Sequence, residues 1–326
     1  MAANLANVAF MEMAKLKTFE AVRTFSSAVV ALAIVLSIIF SSWLGADSLN
    51  WQVAMAVIAL AIGIPHGALD HLVTLPKSQP KKMALFIIGY VAVAVMAVLL
   101  IANWNLIGFQ LVLLMSLIHF GIGDLAFMAE LKNLSNKASK SKSRVPNYLA
   151  FGAVPVLIPL LKDESIAALT EINIELVNWY QQFRGAIWVL VILAVLMTAV
   201  DLFRLKRNRD LLDLFLLTAL ALIAPPLISF AIYFGCWHAM RHTARLTLSL
   251  PKSLTNFAAK KPVKAFWAAV IPGTPALVLT LAAAGIFWQQ DKLDNSFLWS
   301  TLVIVWALTV PHMAVTAKLD RAALNR

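Results

Sequence analysis

The sequence predicts an all-α protein, a polytopic transmembrane helix bundle of about ten spans, or eight or nine if one proline-broken segment is re-entrant. Three observations predict it. Hydrophobic residues make up 61% of the 326 and charged residues only 13%, and the mean hydropathy is +0.82. A soluble domain of this length cannot keep such an apolar excess off its surface. The apolar residues fall in runs of roughly 20, the length that crosses about 30 Å of hydrocarbon. The basic residues fall between those runs.

Residues 1–24, with Lys15, Lys17 and Arg23, read as a cytoplasmic amphipathic lead-in. No long apolar region precedes Lys15, so these residues do not read as a cleaved secretory signal. Residues 25–326 read as a single transmembrane domain. Its first four spans are Ser26 to Leu44, Trp51 to Val73, Met83 to Asn103 and Leu106 to Met128. A lysine-rich link from Glu130 to Arg144 leads to a short, proline-containing span from Asn147 to Leu161. The acidic stretch from Asp163 to Gln182 is expected to lie along the membrane surface. Span six, Ala186 to Phe203, ends in the basic turn Arg204, Lys206, Arg207, Arg209.

The apolar stretch from Leu211 to Leu246 is too long for one untilted span. Pro225 and Pro226 remove two amide donors and disfavour helix just before them, which splits the stretch into spans seven and eight. Ala265 to Trp288 and Phe297 to Ala317 complete the ten.

Lysine and arginine number 27 against 16 aspartates and glutamates, a formal net charge of +11. Basic loops follow the even-numbered spans, the positive-inside pattern that puts both termini in the cytoplasm of a multi-pass protein of the cell membrane. The charge therefore reads as orientation, and nucleic acid is not an expected partner. The single cysteine, Cys236, excludes an internal disulfide.

All six histidines fall in spans two, four, eight and ten. His66, His119 and His238 each lie roughly 10 to 14 Å from the inner ends of their spans, at 1.5 Å rise per residue. Three helices therefore offer imidazole at one depth. His238 and His242 are four apart and share a helix face, the spacing at which a pair grips one metal ion. His66 and His71 are five apart and point about 140° away from each other. His66 is the deeper, so it joins His119, His238 and His242 as a candidate metal ligand, and His71 is left in a supporting or boundary position. A lone intramembrane histidine is more often a hydrogen-bonding residue between helices, the reading that suits His71 and His312, and His312 like His71 is expected to support the ligands rather than join them.

Neutral imidazoles without thiolate suit iron, copper, zinc or nickel. Asp70 and Asp124 lie near the same span ends. Each either orients a histidine through its second ring nitrogen or pairs with Arg241, the expected buried cation. Met115, Phe120, Tyr233, Phe234, Trp237 and Met240 are candidate lining for an apolar ligand pocket, although such residues are more often ordinary packing. Gly63, Gly67, Gly121 and Gly123 would let helices approach closely.

Together, Pro65 to His71 (PHGALDH), His119 to Gly121 (HFG), Trp237 to His242 (WHAMRH) and Pro311 to Met313 (PHM) resemble motifs of the Brp/Blh family of β-carotene 15,15′-dioxygenases. That resemblance implies an integral membrane non-haem iron enzyme that cleaves the central double bond of β-carotene with dioxygen to give two all-trans-retinal. It implies Fe(2+) held by His66, His119, His238 and His242, and a functional link to a retinal-binding rhodopsin. Two other classes compete: a haem-binding electron carrier using the histidines as axial pairs, and a proton or metal transporter whose histidines line a pathway.

Overall fold

The computed structural model describes residues 2–40, 66–74, 79–135, 145–278 and 295–325, together with 58, 62, 63 and 282. Every regular element among them is helical. The expected spans over residues 26–44, 51–73 and 265–288, and the lysine-rich link, fall partly outside the described residues.

Helix α1 runs Ala2–Ile39 without a break, so the boundary expected near residue 24 is not an end of an element. Short α2 (Asp70–Thr74) precedes α3 (Pro80–Asn103). Pro80 opens α3 at a position where its missing N–H costs nothing. Trp104 separates α3 from α4 (Asn105–Leu134), and α5 (Val145–Leu160) carries Pro155 and Pro159. The acidic stretch forms two short helices, α6 (Asp163–Ile172) and α7 (Glu175–Gln181), ahead of α8 (Arg184–Arg204).

The double proline breaks the long apolar stretch. Helix α9 (Asn208–Ile223) stops where Ala224 and Pro225 turn extended, and Pro226 starts α10 (Pro226–Ile232). The Lys162 ammonium donates to the carbonyls of Leu222 at 3.2 Å and Ala224 at 2.7 Å, occupying acceptors freed by the break. A π-helical segment, Tyr233–Ala239, continues α10 into α11 (Met240–Leu246). After α12 (Pro251–Ala258) and α13 (Pro262–Trp267) the chain enters a 3-10 turn at Ile271–Gly273. The continuous helix expected from Ala265 is thus already interrupted in its described part, where Pro272 cannot extend the hydrogen-bond ladder. Helix α14 (Asn295–Leu324) closes the chain.

Among the described residues, four helices are long and apolar enough to cross a membrane, within Asn7–Ile39, Pro80–Asn103, Asn105–Leu134 and Arg184–Arg204. A fifth is counted if α5 and α6, bent by 64°, form one span. The expectation of about ten spans is not met by that count. Helix α9 is only 16 residues long, and the run from Pro226 to Leu246 is divided by the π segment. Leu85, Ile88 and Met96 on α3 and Leu190 and Met197 on α8 are exposed. Apolar surface repeated along long helices is what a lipid-facing wall presents. The chain is an all-helical membrane protein.

Helix α4 is central, packing against α5, α3, α14 and α1. Its contact with α5 is backbone to backbone. A Cβ at Gly121 would strike the Tyr148 carbonyl, and one at Gly152 would strike the Leu117 carbonyl, so both helices need glycine there to approach. Buried ion pairs tie the remaining helices together. Arg23 of α1 meets Asp210 and Asp213 of α9 at 2.5 and 2.9 Å, and Arg241 of α11 meets the same Asp213 at 3.1 Å. Arg245 meets Glu130 of α4 at 2.9 Å and Asp320 of α14 at 2.6 Å.

Candidate metal centre

Helix α4, the π segment with α11, and α14 all direct histidine inward. His119 comes from α4, His238 from the π segment, His242 from α11 and His312 from α14, while His66 lies just ahead of α2. They are 6, 2, 3, 4 and 4% exposed respectively. The His66 ring centroid is 5.7 Å from that of His238, 5.3 Å from His242 and 4.9 Å from His312. The His119 centroid is 4.8 Å from His238 and 5.4 Å from His312. His238 and His242 stack 6.2 Å apart with ring planes at 14°, and His242 and His312 are 5.5 Å apart.

Imidazoles sharing one ion through nitrogens at about 2.1 Å have centroids roughly 5 to 6 Å apart, so the spacing matches a common centre. As placed, no three His, Cys, Asp or Glu side chains among the described residues already surround a point able to hold a metal.

The ring nitrogens divide into two sets. His66 Nδ1 meets the Gly63 carbonyl, which accepts from it. His312 Nδ1 lies 2.9 and 3.1 Å from the Asp70 carboxylate oxygens. The Thr316 hydroxyl donates to the His312 carbonyl at 3.0 Å and sits 3.4 Å from His119 Nδ1, leaving its oxygen as the acceptor. An oxygen acceptor at Nδ1 fixes the tautomer and leaves Nε2 with its lone pair, the usual arrangement behind a metal-ligating imidazole. The Nε2 atoms of His119 and His238 face each other at 3.1 Å. The Nε2 atoms of His242 and His312 are buried without a hydrogen-bond partner. A cation among them would satisfy these nitrogens, so the donor set fits a metal that favours imidazole.

His71 is half-buried and outside this ring cluster. Asp124 does not reach a histidine. It accepts from the Tyr233 hydroxyl at 3.2 Å and the Trp237 indole N–H at 3.0 Å, tethering the π segment to α4. Nor does Arg241 pair with Asp70 or Asp124: its carboxylate is Asp213, and its guanidinium carbon lies 3.4 Å from the centroid of Trp237. Both expectations are corrected, because which carboxylate meets which cation depends on helix packing that spacing along the chain does not reveal. Asp70 does meet a histidine, His312, and also accepts from the Tyr90 hydroxyl at 3.0 Å.

Phe120 packs 4.8 Å from His238 and 5.1 Å from Tyr233, and Phe234 lies 5.7 Å from His66. Trp237 is occupied with Arg241, and Met240 packs against the Phe19 and Phe127 cluster, so neither lines the histidine centre. Gly123 leaves room for the ring of His238, which a Cβ would crowd at 3.2 Å, whereas a Cβ at Gly67 would stand in ordinary contact with His312 at 3.5 Å. Met115 borders an apolar cleft of about 580 Å³ between α3, α4, α5 and α14, also lined by Val93, Ile122, Val310 and Met313, with His119 in its wall. Thr316, Tyr90 and Asp213 were not singled out from sequence. A carboxylate in the otherwise apolar 211–223 run was the available signal for Asp213.

A helical membrane protein with five buried imidazoles gathered from distant parts of the chain is the class that fold and site define. The chain belongs to the Beta-carotene 15,15'-dioxygenase family, whose model matches residues 57–320. It is 28% identical over 298 residues to a protein of Uncultured marine bacterium 66A03 named Beta-carotene 15,15'-dioxygenase, covering 87% of this chain and 98% of that one. It is 26% identical over 299 residues to a Halobacterium salinarum protein named Probable beta-carotene 15,15'-dioxygenase Blh, covering 81% and 82%. No solved structure matches the chain significantly.

Proposed function

We propose that this protein is a β-carotene 15,15′-dioxygenase of the cell membrane, converting β-carotene and dioxygen to two all-trans-retinal with ferrous iron held by His66, His119, His238 and His242. The observation that carries the reading is the gathering of these four buried rings, with the Nε2 nitrogens of His119 and His238 facing each other and that of His242 buried without a hydrogen-bond partner. Ferrous iron supplies the redox-active centre that lets dioxygen react with a closed-shell alkene. The four imidazoles would hold it without themselves adding charge to a membrane interior.

Phe120 and Phe234 cover the rings and keep water away, which limits side reactions of activated oxygen. The cleft beside His119 suits a polyene on chemical grounds, since its walls offer apolar contact and β-carotene carries no group that asks for a charge. Substrate dissolved in the bilayer would enter it sideways, and retinal would leave the same way to a retinal-binding protein such as a rhodopsin. Both termini are assigned to the cytoplasm by the basic loops. A haem reading fares worse, because a macrocycle inserted between one imidazole pair would collide with the remaining rings at 4.8 to 6.2 Å.

Expression in cells that accumulate β-carotene tests the proposal. The expected result is loss of orange colour with retinal appearing at close to two molecules per carotene consumed. Unchanged carotene with the protein present in the membrane fraction overturns it, and unequal fragments overturn central cleavage.

A further inference from the structure

His312 lies on the last described helix, 70 residues beyond His242, yet its ring touches three of the other four: His66 at 4.9 Å, His119 at 5.4 Å and His242 at 5.5 Å. Its Nδ1 is held by both oxygens of Asp70, and Asp70 is itself held by the Tyr90 hydroxyl. Its Nε2 is buried and unpartnered. A histidine whose purpose was to bond two helices would be satisfied by the Asp70 contact alone and would have no reason to carry its other nitrogen into a group of imidazoles.

We infer that His312 is a fifth nitrogen donor to the metal, and that Asp70, with Tyr90 behind it, is the positioning residue that aims it. The inference rests on the metal reading above and deepens it. Asp70 fixes the tautomer with the proton on Nδ1, and its negative charge raises the donor strength of Nε2. It also supplies the only carboxylate that touches any of the five rings among the contacts described, compensating part of the ion's charge in a dry site. For an ion that takes about six ligands, five imidazoles leave one place open for a small diatomic molecule, while the polyene is held by apolar contact alone.

Titration of the purified, metal-free protein with cobalt(II), followed by visible absorption and by metal content after gel filtration, tests this. The wild type is expected to bind one cobalt per chain. His312→Ala is expected to shift the cobalt bands and weaken binding by more than about 100-fold, and millimolar free imidazole is expected to restore the wild-type spectrum. Asp70→Asn retains the ring and loses the charge, so it is expected to keep the band pattern while weakening binding by about 10- to 100-fold. It also keeps the inference testable if His312→Ala does not fold. Wild-type spectrum and affinity in both variants would overturn the fifth ligand and leave four histidines standing. A wild type that binds no cobalt would overturn the metal reading itself.

Discussion

Replacing His238 by alanine is expected to abolish conversion of β-carotene to retinal while leaving the protein in the membrane. His238 is the ring most enclosed by others: its Nε2 faces that of His119 at 3.1 Å, and Phe120, His66 and His242 surround it. On the proposed reading its loss removes a metal ligand, and it removes half of the imidazole pair that joins α4 to the π segment. The expected fall in activity exceeds about 100-fold, the upper end of what removing an outer hydrogen-bonding partner of a ligand costs. His71→Ala is the informative companion. His71 lies outside the ring cluster, so its variant is expected to retain activity within a few fold. Retinal measured by chromatography at equal protein in the membrane fraction decides both. Activity in the His238 variant would remove that residue from the ligand set.

Asp213→Ala is expected to destabilise the fold by about 3 to 5 kcal/mol, the cost of leaving a buried charge without its partner. Asp213 is fully buried and accepts from Ser27 while pairing with Arg23 and Arg241. Arg23 retains Asp210, but Arg241 is left with the Ser26 hydroxyl and the Trp237 ring. Cation–π contact of about 1 to 2 kcal/mol does not replace a carboxylate there. The loss falls on α11, three residues past His238 and one before His242, so on the proposed reading metal binding is expected to weaken along with stability. Thermal unfolding in detergent measures the effect. Removing the stranded cation as well, in Asp213→Ala with Arg241→Met, is expected to recover much of the loss, since apolar replacement of a whole buried pair is often neutral. A single variant that melts like the wild type would show the network to be incidental.

Much of the site was legible because membrane depth can be read from one chain. His66, His119 and His238 sit at similar distances along their apolar runs, His242 shares a helix face with His238, and the structure packs these rings together. The five-residue offset between His66 and His71 separated the one inside from the one outside. His312 reads from sequence as an ordinary interhelical hydrogen-bonding residue because its partner, Asp70, comes from the other end of the chain, over 200 residues away. The pairing of Arg241 with Asp213 is close in sequence and was hidden because it depends on how the helices carrying the two residues are placed in the bundle. Pro225 and Pro226 did mark a break between helices. The π segment Tyr233–Ala239 did not show itself, since a lengthened turn has no residue signature and is imposed by what surrounds it, here Asp124 gripping Tyr233 and Trp237. Such segments are frequent at functional sites, and this one carries His238.

The central claim, that buried imidazoles from separate helices share one redox-active ion, is tested most directly by metal analysis of protein purified without added metal or chelator. The account predicts close to one iron per chain, no haem absorption band, and iron lost from the His119→Ala and His238→Ala proteins in parallel with retinal formation. Cleavage by iron-free protein, or stoichiometric haem in its place, would contradict it.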